Sequence, residues 1–171
     1  MKILCCGVLI LMAVRADAWA KEFTCPRFGF SLDVPTDVYA PVQGGDDWLR
    51  FEARDGSGAS VEFMGIENMY YPLEDFVIYH IKPGMTLLKA EKIYGGPEQE
   101  LKYDLYELAY ERDGFVEVVI TKDVYWQKSK DRFIYTAHYI VPSDKYERYK
   151  PIIEKINASW KLYETKESDE E

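Results

Sequence analysis

A chain of 171 residues, 47% hydrophobic and 30% charged, has room for one ordinary domain and too much apolar content to stay unfolded. Its formal charge of −9 disfavours nucleic acid and anionic membrane surfaces as partners, because phosphate binding draws on an excess of Lys and Arg. Aromatic residues reach 15%, with 14 Tyr and 4 Trp, so even a thin domain can build a core from large side chains.

The first twenty residues read as a cleavable export signal. Met1-Lys2 is a short cationic start, Ile3 to Val14 is an uncharged apolar run, and Arg15 and Asp17 open a polar stretch ending in small residues. Ala16-Asp17-Ala18 and Ala18-Trp19-Ala20 both place small side chains where signal peptidase requires them. The apolar run is too short to span a bilayer, which takes about 20 residues. Cleavage removes Lys2, Arg15 and Asp17, leaving 19 basic and 29 acidic residues and a formal charge of −10. Cys5 and Cys6 also leave, so Cys25 remains alone and no intrachain disulfide is expected. The expected organisation is a signal over residues 1–20, one domain over 21–163 and an acidic, disordered tail over 164–171. The expected location is periplasmic or secreted, without a membrane span after cleavage.

Along the remaining chain, Phe28 to Val34 alternates apolar with small or polar residues until Pro35. Trp48 to Arg54 and Ala59 to Gly65 are short strand patterns, with a hairpin signal, Asp55-Gly56-Ser57-Gly58, between them. From Pro72 the period changes. Leu73, Phe76, Val77 and His80 lie at helical spacing, and Pro83-Gly84 ends that helix. Met85 to Tyr94 resumes as a strand. Leu101, Tyr103 and Leu105 share one parity and Tyr106, Leu108 and Tyr110 the other, which calls for a bulge or a strand covered on both faces. Asp113-Gly114 is a tight hairpin turn, after which Phe115 to Trp126 and Arg132 to Val141 complete three consecutive antiparallel strands. Asp144 and Glu147 have the spacing of a capping box. Pro151 predicts a break near Tyr149, beyond which Ile152, Ile153, Ile156 and Trp160 form an apolar stripe.

The opening Phe28-Gly29-Phe30-Ser31-Leu32-Asp33-Val34-Pro35, the mid-chain helix near Phe76, the three-strand meander and the closing Ile156-Asn157-Ala158-Ser159-Trp160 come in a familiar order. In that order the chain resembles the PsbP-like family, with its Mog-type and DcrB-type relatives, over nearly all of residues 22–163. The resemblance implies an α+β fold: an α/β/α sandwich with a central, mainly antiparallel sheet and helices on both faces. It also implies a binding or assembly role, as plant and cyanobacterial members serve photosystem II and Mog-type ones bind a small GTPase. Phe30, Pro35, Ser159 and Trp160 match as architectural positions only.

Catalytic and metal motifs are not found. His80 and His138 belong to no metal-binding spacing; a zinc or copper site would need both to meet a carboxylate such as Glu107 or Asp123. Cys25 precedes Pro26 with no flanking basic cluster to activate a thiolate. Asn157-Ala158-Ser159 is formally a glycosylation sequon, although Ser159-Trp160 reads as packed. No cofactor and no enzymatic activity are expected. The expected function is an exported, non-catalytic accessory protein working through protein–protein contact, with Trp48, Tyr70, Tyr71, Tyr125 and Trp126 as exposed recognition aromatics. The alternative is a carrier holding a small apolar ligand between sheet and helix against Tyr103, Tyr135 and Tyr139.

Overall fold

In the computed structural model the described residues are 20–67, 83–94, 103–126 and 129–165. Alternating apolar residues set ten strands: β1 Lys21–Cys25, β2 Phe30–Val34, β3 Tyr39–Gly44, β4 Trp48–Ala53, β5 Ser60–Glu67, β6 Thr86–Tyr94, β7 Tyr103–Arg112, β8 Phe115–Tyr125, β9 Arg132–Pro142 and β10 Lys161–Leu162. Among the described residues one α-helix, α1, spans Tyr146–Ser159. Seven strands form one antiparallel sheet in the order β3-β4-β5-β9-β8-β7-β6, and β1, β2 and β10 form a second in the order β1-β2-β10. The three consecutive strands expected from the sequence are β7, β8 and β9, and Asp113 and Gly114 turn between the first two at φ 53° and 82°.

Period two divides each strand between two environments. One face of the large sheet, with Val116, Val118, Ile120 and Val124 from β8 and Tyr135, Ala137, Tyr139 and Val141 from β9, builds the main core. The small sheet and α1 lie side by side on that face, contributing Phe30, Leu32 and Val34 from β2 and Tyr149, Ile153 and Ile156 from α1. The opposite face carries a smaller cluster of Leu108, Tyr110 and Val119. The parity switch in β7 is therefore a strand covered on both faces: Ala109 packs in the main core while Leu108 and Tyr110 pack behind it, in unbroken register with β8. The bulge lies instead in β6, between Leu87 and Lys89.

The motif residues of the sequence meet in space. Phe30 stands edge-on to Trp160 at 6.4 Å, and Phe63 does so at 5.5 Å. The Ser159 hydroxyl accepts from the Asp33 N–H at 2.9 Å and donates to the Ile156 carbonyl at 2.7 Å, tying the end of α1 to β2.

Two expectations about the last helix are corrected. Pro151 breaks nothing: α1 runs through it, because the buried stripe of Tyr149, Ile153 and Ile156 holds the helix on the sheet. The capping box is not made, since Asp144 falls inside a 3-10 turn, Ser143–Lys145, and α1 begins with Lys145 at its N-cap without a side-chain cap. The described fold is α+β with its one helix on one face. The helix expected over 72–82, and with it His80, lies outside the described residues, as do Tyr70 and Tyr71. Residues 166–171 of the expected tail also lie outside, whereas the Glu164 carboxylate accepts from the Ser129 N–H at 2.9 Å.

Candidate functional site

The register places several strand ends together. Trp48 opposes Met64, Glu67 opposes Phe133, and Phe133 opposes Val124, so the start of β4 and β9 and the end of β5 and β8 share one end of the sheet. Strand β5 runs three residues past the start of β4, over Gly65, Ile66 and Glu67. The notch left there is an open cleft of about 610 Å³ lined by Phe28, Trp48, Met64, Ile66 and Phe133, with Arg27, Asp47, Glu62 and Glu67 among its polar groups.

Its walls are held from behind. Phe28 sits so close to Gly65 that an ideal Cβ on the glycine would fall 2.6 Å from the Phe28 Cβ. The Phe28 ring meets Phe133 edge-on at 5.8 Å, and its carbonyl accepts from the Tyr135 hydroxyl at 2.8 Å. The Trp126 indole in turn donates to the Tyr135 oxygen at 3.2 Å. Burial pushes the Tyr135 hydroxyl up to about 12, so it stays a donor at any ordinary pH. Trp48 is fixed by the tight turn before it, where Gly45 N–H donates to the Trp48 carbonyl at 3.0 Å.

Of the five aromatics singled out from sequence, Trp48 is half-buried in the cleft wall and Tyr125 stands 50% exposed at the same sheet end. Trp126 is not exposed, a correction: it is 8% exposed and spends its indole N–H on Tyr135, because its bulk fills the core beneath the strand ends. It positions Phe28 and does not touch solvent broadly. Sequence reasoning missed Phe28, Met64 and Phe133, which read as ordinary strand residues until the overhang of β5 exposes them.

The sequence predicts an apolar pocket lined by tyrosines between sheet and helix; what lies there is a groove with other, partly charged walls. An open groove of about 750 Å³ lies between β6–β8 and α1, floored by Leu105, Ala109, Val118, Ile120 and Ile153. Tyr135 and Tyr139 are fully buried and do not line it; Tyr139 donates to the Asn157 Oδ1 at 2.6 Å, and the side chain of Tyr103 is outside the description. That bond ties the half-buried sequon asparagine to a core tyrosine. At one edge of the groove Lys122 is 5% exposed, its ammonium 4.2 Å over the Trp160 ring, and burial lowers it to about 8.

The histidine and the thiol have structural surroundings. His138 Nε2 lies 2.9 Å from Glu117, which also accepts from Tyr110 at 2.7 Å and from Arg112 at 2.8 Å. Burial alone would raise the Glu117 carboxyl; the bonds from Tyr110 and His138 and the charges of His138 and Arg112 outweigh it and hold it below the ordinary value. Of the carboxylates offered from sequence, Glu107 pairs with Lys89 and Asp123 with Arg132. The Cys25 thiol is buried and donates to the Asp46 carbonyl at 2.9 Å, and burial pushes it up, away from the thiolate. Among the described residues, no group of three possible metal ligands stands together, and no helix is long and apolar enough to cross a membrane.

No family model and no curated protein matches the chain. Solved structures do. The cyanobacterial PsbP (CyanoP) of Synechocystis sp. PCC 6803 aligns with a TM-score of 0.61 at 14% identity, over 94% of this chain and 98% of that one. LpqN of Mycobacterium tuberculosis, described as involved in cell envelope biogenesis, aligns with a TM-score of 0.52 at 11% identity, over 88% of each chain. A structure from Bacteroides thetaiotaomicron VPI-5482 aligns at 0.49 and 12% identity over 85% of this chain, which spans 49% of that longer one. The resemblance read from the sequence thus holds at the level of fold: this chain has a fold like that of PsbP.

Proposed function

We propose that this chain is an exported, non-catalytic accessory protein that binds a protein partner through the aromatic cleft at the β4–β5 notch. The observation that carries the proposal is the cleft itself: Trp48, Phe28 and Phe133 line one opening, braced by Tyr135 and Trp126, with Tyr125 exposed at the same sheet end. Braced aromatics at an open edge are what recognition surfaces use, since little ordering remains to be done on binding. The fold shared with CyanoP and with LpqN, an envelope-biogenesis protein, supports an accessory role. Export rests on the cationic Met1-Lys2 start, the uncharged run from Ile3 to Val14 and the small residues before Trp19 and Lys21. The finer architecture, helices on both sheet faces, draws support from the burial of Leu108, Val119 and Ile134 on the face away from α1.

The test is a photo-crosslinking amino acid at Ile66 or Tyr125, in the native host, with Lys155 on α1 as the comparison position. Adducts at the first two positions, lost on Trp48→Ala, are expected; identical adducts at the third, or none at the first two, overturn the reading. The same purified product should begin at Trp19 or Lys21, and retention of Met1 overturns export. The groove between β6–β8 and α1 favours a second reading, a carrier of a small apolar ligand. A native mass spectrum showing a retained ligand would favour it over the first.

A further inference from the structure

We propose that the cleft recognises a cation, specifically a lysine or arginine side chain of the partner; this rests on the binding role proposed above and names its chemistry. Three observations converge. The cleft has aromatic walls, and ring faces are electrostatically negative toward a cation. Its carboxylates outnumber its cations: Asp47, Glu62 and Glu67 against Arg27. Asp47 is engaged by Arg27, whereas among the described residues neither Glu62 nor Glu67 has an ion-pair partner.

The third observation is a cation already held there in this way. The Arg27 guanidinium stands 5.3 Å from the centre of the Phe28 ring and is ion-paired with Asp47, a ring and a carboxylate together. Trp48 opposes Met64 on β5, which puts it on the same face of the sheet as Glu62, so a ring and a carboxylate line this side of the cleft as well, without the cation; Glu67 lines the cleft from the other face, opposite Phe133. Met64 and Ile66 between them give an apolar track for the methylene stem of a long basic side chain, which buries its stem while its head stays polar. An acidic partner is disfavoured by the same carboxylates and by the chain's overall charge of −9. A purely apolar partner would desolvate the Glu62 and Glu67 carboxylates without supplying a charge of its own to them.

The test uses two blocked tripeptides, Gly-Lys-Gly and its uncharged counterpart Gly-norleucine-Gly, titrated into the purified protein. The indole N–H signal of Trp48, assigned by Trp48→Phe, reports binding by nuclear magnetic resonance. The lysine peptide should shift that signal saturably and bind at least about tenfold more tightly than the norleucine peptide. Glu62→Gln/Glu67→Gln should weaken it by about tenfold, and Trp48→Leu, read by isothermal titration calorimetry because its indole is gone, by about fivefold or more. Asp144→Asn/Glu147→Gln makes the same charge change beyond the far end of β9, and should leave binding within about twofold, the range of a screened, distant charge. Equal weakening in that control would assign the effect to overall charge and overturn the inference. Equal affinity for the norleucine peptide would overturn it too, while leaving the partner-binding reading intact. If neither peptide shifts Trp48, the cation inference falls, and the crosslinking result alone then decides whether the binding reading falls with it.

Discussion

At Gly65 the side chain is a hydrogen because Phe28 occupies the place where a methyl group would go. An ideal Cβ there lies 2.6 Å from both the Cβ and Cγ of Phe28, contacts that real Cβ atoms do not show. Gly65→Ala must therefore displace the Phe28 side chain from its place against Phe133, and should cost about 1–3 kcal/mol in denaturant unfolding while weakening any cleft ligand. A stable variant with full binding would show that the wall has other support. Lys122 tests a different term. Its folded value of about 8 lies below its ordinary 10.5, so between those limits the unfolded chain binds more protons and stability rises with pH. The unfolding free energy of the natural protein minus that of Lys122→Met should rise by on the order of 3 kcal/mol from pH 7 to 10.5. A difference flat with pH would mean that the ammonium is not desolvated. Single residues were unevenly legible in the sequence. Trp48 carries its own signal, an aromatic beside a turn. The partner of His138 does not: the register puts His138 opposite Val119, which makes Glu117 its diagonal neighbour, a relation only strand pairing reveals.

Elements with clean periodicity were legible, and those at edges were not. The long strands β8 and β9 announce themselves because one parity fills the core and sheet pairing needs nothing else. Strand β3 escapes because Pro41 and a register shift before Gln43 break its pattern, both tolerable only at a sheet edge. Helix α1 shows the opposite failure, a local rule applied too strictly. Pro151 removes one helical hydrogen bond and crowds the preceding turn, yet the stripe of Tyr149, Ile153 and Ile156 outweighs that cost. Pro151→Ala should therefore stabilise the protein, by about 1–2 kcal/mol once the greater freedom of the unfolded chain is subtracted. Loss of stability instead would show that the proline's own packing matters more than the missing bond.

Across the whole molecule, the two ends of the described chain close on each other. Strand β2 pairs with β1 on one side and with β10 on the other, so Lys161 and Leu162 complete a sheet begun over a hundred residues earlier. Nothing in a two-residue strand identifies it in sequence; its place follows from Trp160, which must reach Phe30 and Phe63, and from Tyr163, whose N–H donates to the Gly29 carbonyl at 2.7 Å. Such closure makes the last strand a condition for the first sheet rather than an appendage. The same segment lies on the path from Gly29 to Phe28 and the cleft, so loss of the end should be felt at the binding site. A chain ended after Ser159 forfeits the burial of Trp160, worth about 3–5 kcal/mol, along with the β10 pairing. Its melting temperature should fall by about 6–20 °C, in one transition that Trp48 and the core report together. Separate transitions for the two sheets, or a melting point within a few degrees of the intact protein, would show instead that the large sheet stands without the small one.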